Sequence, residues 1–498
     1  MSSTAPSPSD RPAVNTRDAR IYWALVVGLV ILCFAAPAIP TQDGPSHRYN
    51  LTLIAELLGD APPRGTLHRL AFESPTNLGF IVVGLPLSAA LPGWAIERSV
   101  IALHILFIAI FSTWWLHECG RRVYPTAFVG LAFALPWSLF MGFYSYQLGA
   151  DLALLCICLT FRLRQNIFPT AAVVGWGCGA LVLAFHAVAA SLLAGLLALV
   201  QLTDVRQTAG SRLLRAGAIA LPLLAAVLYT VSGGPGDAKL EWRDLDYVLL
   251  TLATFGTLTF STQLLTCLLI SLGFALLCLP GQTPRSWDWA ALFSLAAAAS
   301  LALLHVLAPD FTAGGGYLTG RFAWWIPLLA LPLLNIAPLA RWNVPRSFVP
   351  ISMAVVSLGG TLISAAPSAQ LVAEVEAAAQ HNQVTGTVAA ALYTRTPLRD
   401  ALVDPLRHVA AHFAVEHGVL MTNYQARVPF FPLRFTREAQ AQFPRVDINQ
   451  AWLTDWGRLP IAALVAVDAQ PDDRRALRLQ FNSAWRSQSE RVELWRRK

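Results

Sequence analysis

Long apolar runs recur along this chain and restrict its fold more than any other feature. From Ile21 to Ala366 they follow one another at lengths of about 15 to 22 residues, close to what a helix needs to cross a hydrocarbon core about 30 Å thick. Only 13% of the 498 residues are charged, against about 25% in an ordinary soluble chain. The sequence therefore predicts a polytopic α-helical membrane protein with lipid as its main solvent.

About eleven of these runs are long enough to be transmembrane helices. They cover residues 21–40, 99–118, 124–141, 149–163, 169–185, 187–202, 215–232, 260–280, 288–307, 321–340 and 347–366. Two more apolar stretches, 78–91 and 247–258, are short and interrupted by Gly, Pro or polar residues, so we expect re-entrant or interfacial helices there. If both cross the membrane, the count rises to about thirteen.

Arginines in the short loops set the predicted orientation. With the N-terminus in the cytoplasm, all of the short loops that contain arginine face the cytoplasm, as the positive-inside rule requires. These loops carry Arg121, Arg122, Arg162, Arg206, Arg285 and Arg346. The basic residues are dispersed without a clustered basic face, which argues against a nucleic-acid partner. We expect a multi-pass protein of the cytoplasmic (inner) membrane, with its C-terminal region extracytoplasmic.

Composition divides the chain into three predicted regions. Residues 1–20 are rich in Ser, Pro, Ala and Asp and predict a disordered cytoplasmic leader. Residues 21–366 form the transmembrane module, with an extracytoplasmic loop at 41–98. Residues 367–498 have an ordinary globular composition and predict a small extracytoplasmic α/β domain.

Periodicity within the C-terminal region predicts its elements. Residues 401–417 and 472–481 favour helices, whereas 461–469 and 491–495 favour strands. His408 and His412 share one face of the first predicted helix, a spacing that permits a metal site but lacks the Glu of an HExxH helix.

The segment TQDGPSH at 41–47 follows the first predicted span and carries the sharpest polar motif. Asp43 and His47 are four residues apart, so a helix that begins near Asp43 places both on one face. A carboxylate beside an imidazole at the membrane surface can act as a general base toward a sugar hydroxyl, or the two can bind a metal. The alternative is that Asp43 only caps the helix whose first turn contains Pro45.

Polar and aromatic groups in GFYSYQLG (142–149) lie at the same predicted face. Tyr144, Tyr146 and Gln147 can stack on a sugar and hydrogen-bond to it, or they can belong to an interfacial aromatic belt.

A Gly-rich loop, PDFTAGGGYLTG (309–320), leads into a late predicted span. Arg321 opens that span and can meet a lipid-linked phosphate, or snorkel to the headgroups. Asp310 and Tyr317 lie in the loop itself, and His186 lies at the tip between two spans. These three residues are further candidates for substrate binding.

Four segments together resemble the GT-C superfamily of integral-membrane glycosyltransferases, in a bacterial branch of it. They are DGPSH, GFYSYQLG, the Arg321-Phe322 pair and the terminal VELWRR. The resemblance implies a GT-C-like fold and transfer of a sugar from a polyprenyl-phosphate or polyprenyl-diphosphate donor to a glycan, lipid or protein acceptor. It also implies that Asp43 matches the family's acidic catalytic position, as general base or metal ligand.

The sequence departs from better-known members in one respect, because Gly44 follows Asp43 where they carry an Asp-Glu pair. The resemblance therefore leaves open whether a divalent metal ion is used; no other cofactor is implied, and the oligomeric state is not specified. Two other function classes stay open. One is a transporter or flippase, and the other is a non-catalytic scaffold subunit of an envelope polysaccharide machine.

Overall fold

The computed structural model describes residues 16–59, 67–163, 168–232, 240–278, 288–310, 316–336, 345–382, 384–393, 402–428, 431–446, 451 and 453–498. Its α-helices, numbered in chain order, are α1 (Thr16–Ala35), α2 (Gly44–Leu58), α3 (Gly79–Ser88), α4 (Gly93–Glu118), α5 (Ala127–Leu131), α6 (Trp137–Phe140), α7 (Tyr144–Arg162), α8 (Phe168–Phe185), α9 (Ala187–Leu202), α10 (Ala209–Ser232), α11 (Leu245–Ala253), α12 (Leu264–Cys278), α13 (Trp289–Leu307), α14 (Leu318–Leu329), α15 (Phe348–His381), α16 (Ala410–Ala414), α17 (Arg437–Gln442) and α18 (Pro471–Arg478).

The strands are β1 (His68–Leu70), β2 (Gly386–Leu392), β3 (Gly418–Leu420), β4 (Leu433–Phe435), β5 (Ala463–Val467), β6 (Phe481–Arg486) and β7 (Val492–Arg497). Two compact units share the chain. Unit 1 comprises Met1–Leu32, Ile101–Trp137 and Tyr146–Ile363, and unit 2 comprises Cys33–Val100, Ser138–Ser145 and Ser364–Lys498.

Eight helices in the described residues are long and apolar enough to cross a membrane, namely α1, α4, α7, α8, α10, α12, α13 and α15. Several of them expose large apolar side chains. On α12, Leu265, Leu269, Leu272 and Leu276 recur at helical spacing and are each more than half exposed. A water-facing helix would not carry such a stripe, whereas lipid accommodates it. The chain is accordingly a multi-pass membrane protein.

Two predicted spans are broken helices. Residues 124–141 contain only the short helices α5 and α6, with Pro136 between them. Residues 321–340 contain most of α14, which is 12 residues long and gives way to a 3₁₀ turn that includes Pro332. Proline lacks the N–H that would continue the helical ladder, and neither segment contains one continuous helix of crossing length among its described residues.

Three shorter apolar helices agree with the predicted ranges. The predicted span 187–202 corresponds to α9, which has 16 residues. The stretches 78–91 and 247–258 contain the 10-residue α3 and the 9-residue α11. Their lengths fit the expected short helices, and their position in the membrane stays a prediction.

The predicted boundaries at 20 and 366 both lie inside helices. Helix α1 begins at Thr16, so residues 16–20 are helical; residues 1–15 lie outside the described part of the chain. At the other boundary, α15 continues without interruption from Phe348 to His381. Leu371, Val372 and Val375 continue its apolar positions past residue 366, which allows the helix to extend into unit 2.

Unit 2 is built on a mixed sheet of five strands in the order β3-β2-β5-β7-β6. Strand β2 runs parallel to both β3 and β5, whereas β7 runs antiparallel to β5 and β6. One face packs Val388, Val465 and Leu494 against Tyr49 of α2 and Val375 of α15. Alternate residues of the same strands fill a second core on the opposite face.

Most predicted elements of the C-terminal region are present. Strands β5 and β7 overlap the predicted strands 461–469 and 491–495, and α18 overlaps the predicted helix 472–481. The predicted helix 401–417 is wrong over most of its length. Within it only Ala410–Ala414 is α-helical, because Pro405 interrupts the ladder and the Asp404 carboxylate accepts the Leu406 N–H.

Candidate functional site

Asp43 occupies the N-cap position of α2, and Pro45 occupies an early helical position as the sequence suggests. The Asp43 side chain, however, makes no capping hydrogen bond. Its backbone carbonyl accepts the His47 N–H at 2.9 Å, which starts the helix without the carboxylate. The capping interpretation of Asp43 is therefore wrong, and the carboxylate is available for other partners.

The turn that carries Asp43 packs directly on the GFY segment. The Gln42 N–H donates to the Phe140 carbonyl at 2.8 Å, and the Asp43 N–H donates to the Met141 carbonyl at 3.2 Å. Gly142 has φ +80°, and a Cβ there would lie 2.9 Å from the Asp43 Cβ. Only glycine fits this approach without strain. The two motifs, distant in the sequence, thus form one site in unit 2.

His408 is the direct partner of the Asp43 carboxylate, with Nε2 at 3.2 Å from Oδ1 and both side chains only 6% exposed. Burial opposes ionisation of Asp43. The hydrogen bond to His408 is the main effect that outweighs burial, the nearby Arg407 charge acts in the same direction, and together they hold the pKa of the Asp43 carboxyl below its ordinary value. Asp43 is therefore a buried anion at neutral pH.

His47 lies in an aromatic pocket on the next turn of α2, with its ring centroid 5.2 Å from that of Phe80 and 5.5 Å from that of Tyr144. Its Nε2 is 3.4 Å from the Gln425 amide nitrogen, and its buried Nδ1 has no hydrogen-bond partner. Burial lowers the pKa of His47 to about 4, although the Asp43 charge acts in the opposite direction. His47 is thus a neutral imidazole at pH 7.

Glu97, in the first turns of α4, brings a second, partly buried carboxyl group to this site. It accepts hydrogen bonds from the Thr41 hydroxyl and from the Tyr144 hydroxyl. A Cβ at Gly44 would overlap the Glu97 carboxyl group, so the glycine makes room for it. The sequence analysis missed Glu97, because its partners lie in two distant segments.

A second layer fixes α2 against the C-terminal region. The Arg48 guanidinium donates to Glu376 Oε1 of α15 at 3.0 Å and lies 3.0 Å from His412 Nδ1. His408 lies before α16 and contacts Asp43, whereas His412 lies within α16 and contacts Arg48, so the helical face predicted for the two histidines is not formed. The described residues contain no group of three or more His, Cys, Asp or Glu side chains placed to hold a metal ion.

Unit 1 brings together three other predicted residues. The Arg321 guanidinium lies over the Tyr146 ring at 4.9 Å, and the His186 ring meets the same tyrosine edge-on at 5.4 Å. The Tyr146 hydroxyl donates to the Arg321 carbonyl at 3.0 Å and accepts from the Trp325 indole at 2.9 Å. His186 also caps α9 by accepting the Val188 N–H.

Asp310 and Tyr317 belong to a different cluster in unit 1. The Asp310 carboxylate forms an ion pair with Arg243 at 2.8 Å and accepts hydrogen bonds from the Thr319 hydroxyl and N–H. The Arg243 guanidinium lies 5.3 Å from the Tyr317 ring centroid. The hydrogen bonds to Thr319 hold Asp310 against the first turn of α14. Residues 311–315, which lie between them in the sequence, are outside the described ranges.

A buried ion pair joins two candidate spans in unit 1. His104 Nδ1 of α4 lies 2.9 Å from both carboxylate oxygens of Asp151 of α7, and Nε2 lies 2.9 Å from the Ala134 carbonyl. Both side chains are fully buried. Sequence patterns gave no signal for this pair, since each residue is a single polar position in an apolar run.

Comparisons with known proteins found weak structural likeness to solved structures. No family model matches the chain, and no curated protein matches it significantly. A solved structure of arabinofuranosyltransferase AftD from Mycobacteria, mutant R1389S, aligns with a TM-score of 0.45 and 18% identity. The alignment covers 98% of this chain and 42% of that chain, so this protein spans less than half the length of the mycobacterial enzyme.

Proposed function

We propose that this protein transfers a sugar from a polyprenyl-phosphate or polyprenyl-diphosphate donor to an envelope glycan, lipid or protein acceptor at the outer face of the cytoplasmic membrane. The observation that carries the proposal is the Asp43–His408 pair. An ionised carboxylate at 4% exposure costs stability unless it is paired, and α2 does not need it as a cap. Such a retained buried anion is typical of catalytic sites.

The proposed chemistry requires a proton acceptor beside the acceptor hydroxyl. As the hydroxyl oxygen attacks the anomeric carbon, the bond from that carbon to the phosphate oxygen breaks, and its electron pair leaves with the polyprenyl phosphate. The hydroxyl proton passes to the Asp43–His408 pair, in which the carboxylate orients the imidazole and stabilises its protonated form. Asp43 as a metal ligand is the alternative role.

Arg321 is the proposed group for the donor phosphate. A guanidinium can contact two phosphate oxygens at once, and the Tyr146 ring holds Arg321 by a cation–π contact. Tyr144, Tyr146, Gln147 and His186 stay candidates for sugar contacts, whereas Asp310 and Tyr317 have the structural partners described above.

The experiment is a donor panel with purified full-length protein. Each polyprenyl-phosphate or polyprenyl-diphosphate sugar is incubated with cell-envelope acceptors, and both sugar transfer and release of the lipid carrier are measured by mass spectrometry. We expect at least one donor to be consumed, with His408→Ala at least about tenfold slower. The exposed His417 supplies the matched control, His417→Ala. Consumption of no donor by the folded wild type would contradict the proposal.

The His104–Asp151 pair favours one second candidate, a proton-coupled transporter or flippase. Ionisable residues buried within spans often mark proton or substrate pathways, because their burial is costly. Proteoliposomes that move a labelled lipid-linked sugar across the bilayer without cleaving it would support this function. Loss of that movement in Asp151→Asn, with unchanged movement in Asp43→Asn, would assign the activity to the pair.

A further inference from the structure

A cavity of about 260 Å³ lies in unit 1 where candidate spans begin and end. Its lining includes Leu116, two residues before the end of α4, and Arg346, two residues before the start of α15. Leu331 and Ile336, which follow α14, supply an apolar wall. Ends of spans lie at the headgroup level of a bilayer, so this cavity is placed where headgroups and the first methylenes of lipids lie.

Three guanidinium groups face this cavity, and they differ in their partners. Arg121 is held by Asp288 at 2.9 Å, and Asp288 in turn caps α13 by accepting the Ala291 N–H. Arg122 and Arg346 are exposed, and no carboxylate in the described ranges pairs with either. The cavity therefore carries two positive charges that no described acidic side chain neutralises.

We infer that this cavity binds the phosphate of an anionic lipid headgroup. Guanidinium groups match phosphate oxygens in geometry and charge, and basic cavities beside span ends are suited to anionic lipids. The apolar wall formed by Leu116, Leu331 and Ile336 accommodates the start of an acyl chain, which a purely polar phosphate site would not need.

This site is independent of the proposed glycosyl transfer. Arg121, Arg122 and Arg346 belong to loops that the positive-inside rule assigns to the cytoplasm, whereas the proposed reaction occurs at the outer face. The anionic surface of the cytoplasmic leaflet would supply the ligand.

The test is competitive lipid binding by the full-length protein in native mass spectrometry, with phosphatidylglycerol and phosphatidylcholine as probes. We expect the wild type to retain phosphatidylglycerol preferentially and the Arg122→Gln/Arg346→Gln variant to lose about tenfold in that retention. The charge-conserving variant Arg122→Lys/Arg346→Lys should keep most of it. Arg475→Gln/Arg478→Gln on exposed α18 is the control for loss of two charges and should bind as the wild type does. Wild-type retention by the Gln variant would overturn the inference.

Two further arms separate a lipid from a soluble phosphate and protect the test against a misfolded variant. Inorganic phosphate in large excess should leave phosphatidylglycerol bound; its displacement would assign the site to a soluble phosphate instead. With wild-type protein, photoreactive phosphatidylglycerol should label peptides that contain residues 116–126 and 331–346. Labelling confined to other peptides would contradict the site.

Discussion

Asp43 and His47 differ in charge at neutral pH although they lie one helical turn apart. His408 and its neighbours keep the pKa of Asp43 low, so Asp43 is an anion. Burial keeps His47 neutral. This pair of residues therefore presents one anion that can receive or direct a proton.

Acid should destabilise unit 2 between about pH 6.5 and pH 4. Burial lowers the pKa of both His47 and His68 to about 4, whereas the same side chains in the unfolded chain titrate near their ordinary value. The unfolded state therefore binds more protons in this window, and stability falls as pH decreases through it. Two such histidines together should lower the free energy of unfolding by a few kcal/mol across this pH range. The loss is measurable in detergent as a decrease in the unfolding midpoint.

His68→Phe is the matched control for that pH dependence. The His68 ring packs on Phe435 with the two ring centroids 4.7 Å apart, and neither of its ring nitrogens has a hydrogen-bond partner, so phenylalanine keeps the contact without a titratable group. We expect this variant to lose roughly half of the acid dependence. An unfolding midpoint that does not change from pH 7 to pH 4.5 in the wild type would contradict the assignment of neutral buried histidines.

Arg321 should be needed for its shape as well as its charge. If Arg321 contacts the donor phosphate, Arg321→Lys keeps the positive charge but loses the two-pronged guanidinium, so it should retain part of the donor affinity. Arg321→Ala should lose on the order of tenfold or more in donor affinity. Donor binding by equilibrium dialysis checks this. Equal binding by the wild type and Arg321→Ala would remove Arg321 from the donor site.

Sequence patterns identified Asp43 but could not identify its partner. The local motif TQDGPSH marks a carboxylate just past a span, and the following helix is visible in its spacing. His408 and Glu97 meet this motif only through folding, since no local periodicity connects α4, the turn at Asp43 and the approach to α16. Local spacing also favoured His47 as the partner of Asp43, whereas its ring is held mainly by Phe80 and Tyr144.

Helices α4 and α7 are joined by the His104–Asp151 pair, which has no access to solvent. Single leucine substitutions should each destabilise the protein by about 3–5 kcal/mol, because each leaves an uncompensated buried group. The double variant His104→Leu/Asp151→Leu should recover much of that loss. The free energies of unfolding of the wild type, the two single variants and the double variant are measured in detergent. The exposed Arg458–Asp455 pair is the control, and Arg458→Gln should lower the free energy of unfolding by less than about 1 kcal/mol. Additive losses in the double variant would mean that the pair is not coupled.

Hydropathy predicted where apolar segments lie better than it predicted which of them form one continuous helix. The ranges of α8, α9 and α13 follow their apolar runs closely. The runs at 124–141 and 321–340 are also apolar, yet their helices are short and are interrupted near Pro136 and Pro332, whereas α10 and α15 continue through Pro222 and Pro367. Composition averages over a window and does not register a single missing N–H, so these breaks were not predicted.

The arrangement of the whole chain across the membrane is still a prediction from charge. In a cysteine-free background, Cys at Asp472 should react with an impermeant thiol reagent applied from outside, and Cys at Thr208 should react only after the membrane is opened. Both positions are exposed in the structure, so burial does not limit either reaction. Labelling of Thr208→Cys together with protection of Asp472→Cys in intact cells would reverse the orientation.

The turnover of Asp43→Asn tests the proposed glycosyl transfer most directly. Asparagine keeps the shape of the side chain and removes its ionisation, and the native carboxylate makes no capping bond that the substitution could disturb. With a donor from the panel, we expect normal folding and a loss of about 10²-fold or more in turnover, as for removal of a general base. The exposed Asp472→Asn is the control. His47→Ala should reduce turnover less than Asp43→Asn does if the imidazole only supports the site. It should reduce turnover as much as Asp43→Asn does if both side chains bind a metal ion. Near-normal turnover by folded Asp43→Asn would contradict the role of this carboxylate in the reaction.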